Sequence, residues 1–576
     1  MKKISNILLL LMVFFGAMIS FVYAAVPTVP DGLIAKSAGT SKVNIAWQDR
    51  SADETGFKIY RKSGTGAFAL ITTTASNATS YSDTTASGNN STTSYSYYIK
   101  ACNASGCSAA TQTALVPFKP AALKKGITAS TANDVTLNWT DKSLNETAMA
   151  VERKAGICAQ GGAWVQIQTL AADSTSHTDT TAAAGKIYSY RIRSMVQSAA
   201  APYAYGYSLF SNCVDVVVPV AQLPKTGQTS CYNMDGAAVA CAGTRQDGEL
   251  QTGAAWPATR FVSGVGSETD CIIDQLTGLM WPKDGYLMYD IWKNSLDYAN
   301  SLDLCGHTDW RMPNVLELES LINAEYYRSD NWLNSLGFYN VQLRYWTSSS
   351  IAYAPDRAWV INMGGMTMDE YRKDSDKLAM LPVRAGISGA YNSSVILLPK
   401  TGQTACYDSS GSAIACAGTG QDGDIKAGQA WPSPRFSVIY CDYNAPCSSQ
   451  ASDCDAVADN DIVADRLTGL IWPRNMSFSR NQWYWALNPG NLCGYTDWCL
   501  PNRRELASLV DWSQSEPALP VTNPFTGLTP LTVPFWTSTS FAWYPQCAST
   551  VSLGYGPMEL DGKYGLEHYI YVRGGR

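Results

Sequence analysis

Leu223–Phe261 reads LPKTGQTSCYNMDGAAVACAGTRQDGELQTGAAWPATRF, and Leu398–Phe436 reads LPKTGQTACYDSSGSAIACAGTGQDGDIKAGQAWPSPRF. The register continues beyond both stretches. LTGLMWP (Leu276–Pro282) answers LTGLIWP (Leu467–Pro473), and LCGHTDWRMPNVLELESLI (Leu304–Ile322) answers LCGYTDWCLPNRRELASLV (Leu492–Val510). YWTSSS (Tyr345–Ser350) answers FWTSTS (Phe535–Ser540), and PVRAG (Pro382–Gly386) answers YVRGG (Tyr571–Gly575). Motifs repeated in one order define two tandem domains, 223–386 and 398–576.

Within each copy the first half is rich in glycine and turns. Cys231 and Cys241, like Cys406 and Cys416, flank a ten-residue excursion, so each pair is expected to close a hairpin. Asn314 and Asn502 are each followed three residues later by Glu317 or Glu505, the spacing of a capping box. Leu318, Leu321 and Ile322, or Leu506, Leu509 and Val510, supply the apolar face of the helix this predicts. The remainder of each copy alternates like strands. The class is α+β.

Upstream, 27–118 and 119–220 read as two all-β immunoglobulin-like sandwiches of short alternating strands. Trp47 and Trp139 hold one place on an early strand, and Tyr95/Tyr97 and Tyr188/Tyr190 hold another on a late one. With the Asp-Thr-Thr turns at 83–85 and 179–181, both segments resemble fibronectin type III domains. That resemblance implies spacers. Cys102 is expected to pin the last hairpin through Cys107, and Cys158 to join Cys213.

The first residues, MKK, precede an apolar run from Ile7 to Phe21 and then Val22-Tyr23-Ala24. This is the pattern of a secretory signal peptide over 1–24. No later stretch approaches the ~18 unbroken apolar residues of a membrane span, so the mature chain is expected to lack a transmembrane segment. Sixteen cysteines in an exported chain should mostly be bridged. A net charge of −6 without a basic patch argues against nucleic acid as a partner.

Four segments of the repeats resemble the Lcl C-terminal domain family, named for a bacterial collagen-like adhesin. They are Thr-Gly-Leu-[Met/Ile]-Trp, Trp-[Arg/Cys]-[Met/Leu]-Pro-Asn-x-x-Glu-Leu, Trp-Thr-Ser-[Ser/Thr]-Ser and the closing Val-Arg. The resemblance implies a secreted or surface-exposed bacterial protein that binds a glycan or extracellular-matrix polymer. It also implies a C-type-lectin-like layout, akin to formylglycine-generating enzymes. One departure stands out: Arg311 and Arg357 of the first copy align with Cys499 and Cys547 of the second. A Cys499–Cys547 disulfide is therefore expected. Cys271 and Cys305 remain to pair in the first copy, while Cys493 has Cys441, Cys447 and Cys454 as open alternatives.

Three histidines, none shared by the copies, give no repeated triad or His-rich metal site. An alternating acidic run containing Asp455, Asp459 and Asp461 is oxygen-rich, as Ca²⁺ requires, but lacks the EF-hand pattern; a solvated loop is the plain alternative. No other cofactor is implied. Aromatic faces stack on sugar rings while nearby polar groups take the hydroxyls. The motif tryptophans are expected in the core. Tyr326, Tyr327 and Trp332, with Trp483, Tyr484 and Trp485, lie outside the strongest motifs and are expected to be exposed ligand-binding residues. The expected function is adhesion through two binding domains, with avidity if both reach one ligand. The rival readings are a structural subunit of a surface appendage, making protein–protein contacts, and a formylglycine-generating-type enzyme.

Overall fold

The computed structural model describes residues 25–38, 42–86, 94–116, 120–143, 146–158, 160–197, 205–385, 395–439, 461–476, 480–490, 492–493, 495–528 and 533–574, apart from 126–133. Strands dominate and helices are few and short.

Each sandwich pairs a three-stranded sheet with a larger one. In the first, Asp31–Ser37, Val43–Gln48 and Ser80–Asp83 face a sheet of Ala69–Thr73, Gly56–Ser63, Tyr95–Asn103, Gly106–Cys107 and Ala114–Val116. The second repeats that strand order. Alternation dictates the arrangement, because every second side chain of Val43–Gln48 points inward, ending on the buried Trp47. The Asp-Thr-Thr turns explain themselves here. Asp83 accepts from the Tyr97 hydroxyl at 3.0 Å, from Arg61 at 2.8 Å and from Thr85 Oγ1 at 2.7 Å. Asp179 makes the same set with Tyr190, Arg153 and Thr181.

In the first repeat a sheet runs Met288–Asp290, Leu378–Met380, Arg344–Ile351, Ala354–Asn362, Thr367–Arg372. The second repeat keeps the last three of these as Phe535–Ser540, Cys547–Val551 and Met558–Gly562. The predicted helices form over Val315–Glu319 and Arg503–Ala507, each with both hydrogen bonds of the capping box. A longer helix, Trp292–Ser301, begins after Ile291 without a side-chain cap, and so had no starting signal in the sequence. The Trp-Thr-Ser segments are irregular: the pairing slips between Trp346 and Ser350 and between Trp536 and Ser540. In that gap Ser348 and Ser538 donate their backbone N–H to Pro313 and Pro501 instead of to a neighbouring strand, each at 2.8 Å.

The two repeats share a core. Trp281, Leu318, Trp359 and Leu381 of the first join Trp472, Leu506, Trp512 and Ile570 of the second in one cluster, with Trp359 edge-on to Trp512 at 5.6 Å. Above it each repeat reaches into the other. The Gln228 amide takes the Ser540 N–H at 2.9 Å and donates to its carbonyl at 2.7 Å. Gln403 clasps Ser350 in the same way. Asp247 accepts from Thr226 and from Thr539 across the junction, at 2.6 and 2.7 Å. Its counterpart Asp422 accepts from Ser349 at 2.5 Å. Both carboxylates are buried, and burial raises both pKa values, that of Asp422 to about 6. Two arms, 228–252 and 403–427, are thus exchanged between the copies. Arg504 completes the junction, donating to Glu319 at 2.9 Å and to the Ile322 carbonyl at 2.9 Å.

An arm held this way makes the repeats one unit. Cutting an engineered protease site placed within 387–394 should leave the two halves associated through gel filtration and melting in one transition. Separation of the halves would refute the exchange.

Candidate functional site

The repeated tryptophans are structural. Trp310 and Trp498 donate to the carbonyls of Leu304 and Leu492, and Trp346 and Trp536 to those of Asp290 and Asn481. A site for a ligand must come from aromatics that these motifs do not occupy.

Four of them meet at the junction of the repeats. Tyr327 of the first repeat lies edge-on to Trp543 of the second with ring centroids 3.7 Å apart, and Tyr544 follows at 5.8 Å from Trp543. Tyr326 adjoins Tyr327 in the chain. These side chains are 49% (Tyr326), 39% (Tyr327), 44% (Trp543) and 51% (Tyr544) exposed, unusually high for large rings grouped together. The platform is rigid from beneath. Tyr326 rests on Trp332 at 6.1 Å, Trp332 on Trp256 at 5.5 Å, and the Arg260 guanidinium lies 4.6 Å from the Trp256 ring. Phe541, buried, supports Tyr544 at 6.2 Å. Polar groups surround the rings. Arg328 is ion-paired with Asp330, which together with the Tyr327 hydroxyl raises the guanidinium pKa. Gln546 is exposed two residues beyond Tyr544.

Trp332 is a correction to the sequence reading: it is only 8% exposed, sealed between Trp256, Phe261 and Tyr326. Trp483 is a second. At 1% exposure it is the counterpart of Trp292; their indole N–H groups donate to the carbonyls of Thr537 and Thr347, at 2.7 and 2.8 Å. Tyr484 and Trp485 are exposed and form their own edge-on pair at 5.3 Å. Sequence reasoning missed Trp543 and Tyr544. The available signal was that the loop after FWTSTS carries two adjacent aromatics where the first copy has Tyr353-Ala354.

Asp455 and Asp459 fall outside the described residues. Asp461 is buried and paired with Arg474 at 2.9 Å, which occupies the carboxylate proposed for Ca²⁺. Disulfides join Cys102–Cys107, Cys158–Cys213, Cys231–Cys241, Cys271–Cys305 and Cys406–Cys416. Cys493 is also disulfide-bonded, while Cys441, Cys447 and Cys454 lie outside the described residues. Cys499 and Cys547 are not bridged to each other, contrary to expectation. Cys499 pairs by backbone with Val572 and sets its sulfur 3.4 Å from that carbonyl, whereas Cys547 pairs with Gly562. In the first repeat Arg311 and Arg357 have separate partners, Glu317 and Glu370. The LPKTG stretch is likewise structural: its Thr226 is buried on Asp247, and the Lys225 carbonyl accepts from Trp256 at 3.0 Å.

The Lcl C-terminal domain family matches twice, over residues 270–384 and 461–573. Both matches begin after the exchanged arms. Exoglucanase B of Cellulomonas fimi is 32% identical over 181 residues, covering 29% of this chain. The chain spans only 15% of that relative's length. Among solved structures, the FN1–FN3 domains of chicken CNTN1 align at 15% identity over 33% of this chain and 67% of theirs, with a TM-score of 0.21. A segment of two fibronectin type III domains from chicken tenascin aligns at 17% identity over 32% and 98%, with a TM-score of 0.15. The sandwich fold rests on its own strand pairing.

Proposed function

We propose that this is a secreted or surface-exposed bacterial protein whose C-terminal repeats bind carbohydrate or an extracellular-matrix polymer. The observation that carries the reading is the group of Tyr326, Tyr327, Trp543 and Tyr544, exposed together on a rigid base. Such faces match the apolar faces of sugar rings, and Arg328 and Gln546 offer donors and acceptors for hydroxyls. Export by the N-terminal segment and a C-type-lectin-like character of the repeats belong to the same reading. So does the likeness to an exoglucanase, which places related sequence in a protein named for glucan chemistry.

A binding role is preferred to catalysis. Lys373 meets Ser350 at 2.7 Å, a contact that could suggest a nucleophile and its base. Both residues are buried under the arm of the other repeat, so a substrate has no approach. A structural subunit is the second reading, favoured by the packing of the second sandwich onto the second repeat. Asp215 and Tyr495 are hydrogen-bonded there, and Ile157 and Val217 join Ile462 and Trp498 in one cluster.

The test is a glycan array probed with the intact chain, disulfides formed, with and without chelator. Selective binding that survives chelation is expected, and Trp543→Ala should weaken it at least about tenfold, or about 1.4 kcal/mol. Binding indifferent to Trp543→Ala would move the site elsewhere. Silence from a folded chain would favour the structural subunit.

A further inference from the structure

We infer that the paired repeats carry one ligand site rather than two, and that the exchanged hairpin of the first repeat positions it. This inference rests on the carbohydrate-binding reading of the platform.

The junction has two corresponding faces, and among the described residues only one bears the platform. On the other, Tyr353 stands where Trp543 does, but Ala354 replaces Tyr544, and Gln514 and Ser515 replace Tyr326 and Tyr327. Tyr353 packs on Tyr555 at 5.1 Å, and both hydroxyls are tied to carboxylates, Glu370 and Glu516. That face is acidic. The duplication therefore supplied a second scaffold without a second platform.

The hairpin closed by Cys231–Cys241 lies under the loop that carries Trp543 and Tyr544. Its Asp235 accepts from the Tyr564 hydroxyl at 2.7 Å. The carbonyl of Asn233 accepts from Lys563 at 3.2 Å, and Met234 packs into the cluster around Trp483 and Trp536. At Gly236 the approach is closest. Its φ is +86°, and a β-carbon would lie 2.9 Å from the Gln546 backbone nitrogen. A side chain there forces the hairpin and the 543–546 loop apart. None of these hairpin residues belongs to the ring platform; they are positioning residues.

The duplication provides a matched control. Gly411 also has φ +86°, and its β-carbon would lie 2.9 Å from the Asp356 nitrogen, beneath the face without a platform. Gly236→Ala and Gly411→Ala should therefore cost similar stability, read as equal shifts in melting temperature. Gly236→Ala should weaken binding of the strongest-bound array oligosaccharide at least about tenfold, and Gly411→Ala less than about twofold. Calorimetry on the unaltered chain should give one site per chain. Hydrogen exchange of peptide 541–547 should rise in Gly236→Ala alone, a reading that needs no ligand. Two sites per chain, or equal loss of binding in both variants, would overturn the inference. If the unaltered chain binds no glycan, the carbohydrate reading fails. The hairpin's positioning role then stands or falls on the exchange data.

Discussion

Replacing Asp274 with alanine is expected to destabilise the paired repeats by about 3–5 kcal/mol, the usual cost of stranding one member of a buried ion pair. The carboxylate is fully buried and accepts four hydrogen bonds. Arg260 donates twice, at 2.9 and 2.8 Å, and the Leu276 N–H and Thr277 hydroxyl donate at 3.0 and 2.9 Å. Removing it leaves a buried guanidinium with only the Ser320 carbonyl, at 2.8 Å, and two further donors unsatisfied. The second repeat builds the same centre from Asp465, Arg435, Leu467 and Thr468, so Asp465→Ala should cost a similar amount. The comparison is Asp309→Ala. That residue pairs with Arg384 at 2.7 Å, but its side chain is largely in solvent, where such a pair contributes about 0–1 kcal/mol. Urea unfolding distinguishes the cases. Because the repeats share a core, Asp274→Ala should shift one transition rather than split it. Equal effects from Asp274→Ala and Asp309→Ala would refute the argument.

This centre also shows what the sequence could disclose. Asp274 lies just before the Thr-Gly-Leu segment and Arg260 closes the first repeated stretch, so both recur in each copy, but nothing in their spacing announces that they pair. Capping boxes and the hairpin disulfides were legible because their partners lie within three and ten residues. The arm exchange was not legible, because Gln228 and its partner Ser540 are 312 residues apart and Ser350 offers the same motif nearer by. A repeat reveals the acceptor surface without revealing which copy is accepted. The platform was half legible for a related reason. Tyr326 and Tyr327 could be nominated, but Trp543 joins them only once the copies are set face to face. Trp332 and Trp483 were misplaced because an aromatic outside a motif can still be the layer beneath the exposed one. The Cys499–Cys547 prediction failed on a similar inference: two substitutions found together need not touch.

The arms predict an unusual pH response. Lys373 is wholly buried against Trp292, with its ammonium 4.3 Å from that ring, and is covered by Tyr407 of the opposite arm. Lys563 repeats the arrangement with Trp483 at 4.0 Å and Tyr232. Burial drives both pKa values down from 10.5 to about 7, against the partial opposition of Asp356 and Asp408 for Lys373 and of Cys547 for Lys563. The folded state therefore binds fewer protons than the unfolded state between pH 7 and 10.5. Stability should rise with pH across that window. Each pH step of one across which the folded state lacks a proton adds about 1.4 kcal/mol, so the gain from pH 7 to pH 9 is about 2 kcal/mol per lysine. The ring faces and the Tyr232 and Asn233 carbonyls favour the ammonium, so this figure is a ceiling. Most proteins gain nothing over this range. Urea midpoints for the intact chain should increase from pH 7 to pH 9, and the increase should halve in Lys373→Met or Lys563→Met and vanish in the double variant. The slope, rather than the absolute stability, is the diagnostic quantity, because Lys563→Met also removes a donor from the Tyr232 and Asn233 carbonyls, which keep their bonds from Gln246 and the Gly236 N–H. A flat or falling midpoint in the unaltered chain would mean that the arms admit water to the lysines. The exchanged segments would then be loose covers rather than parts of the core.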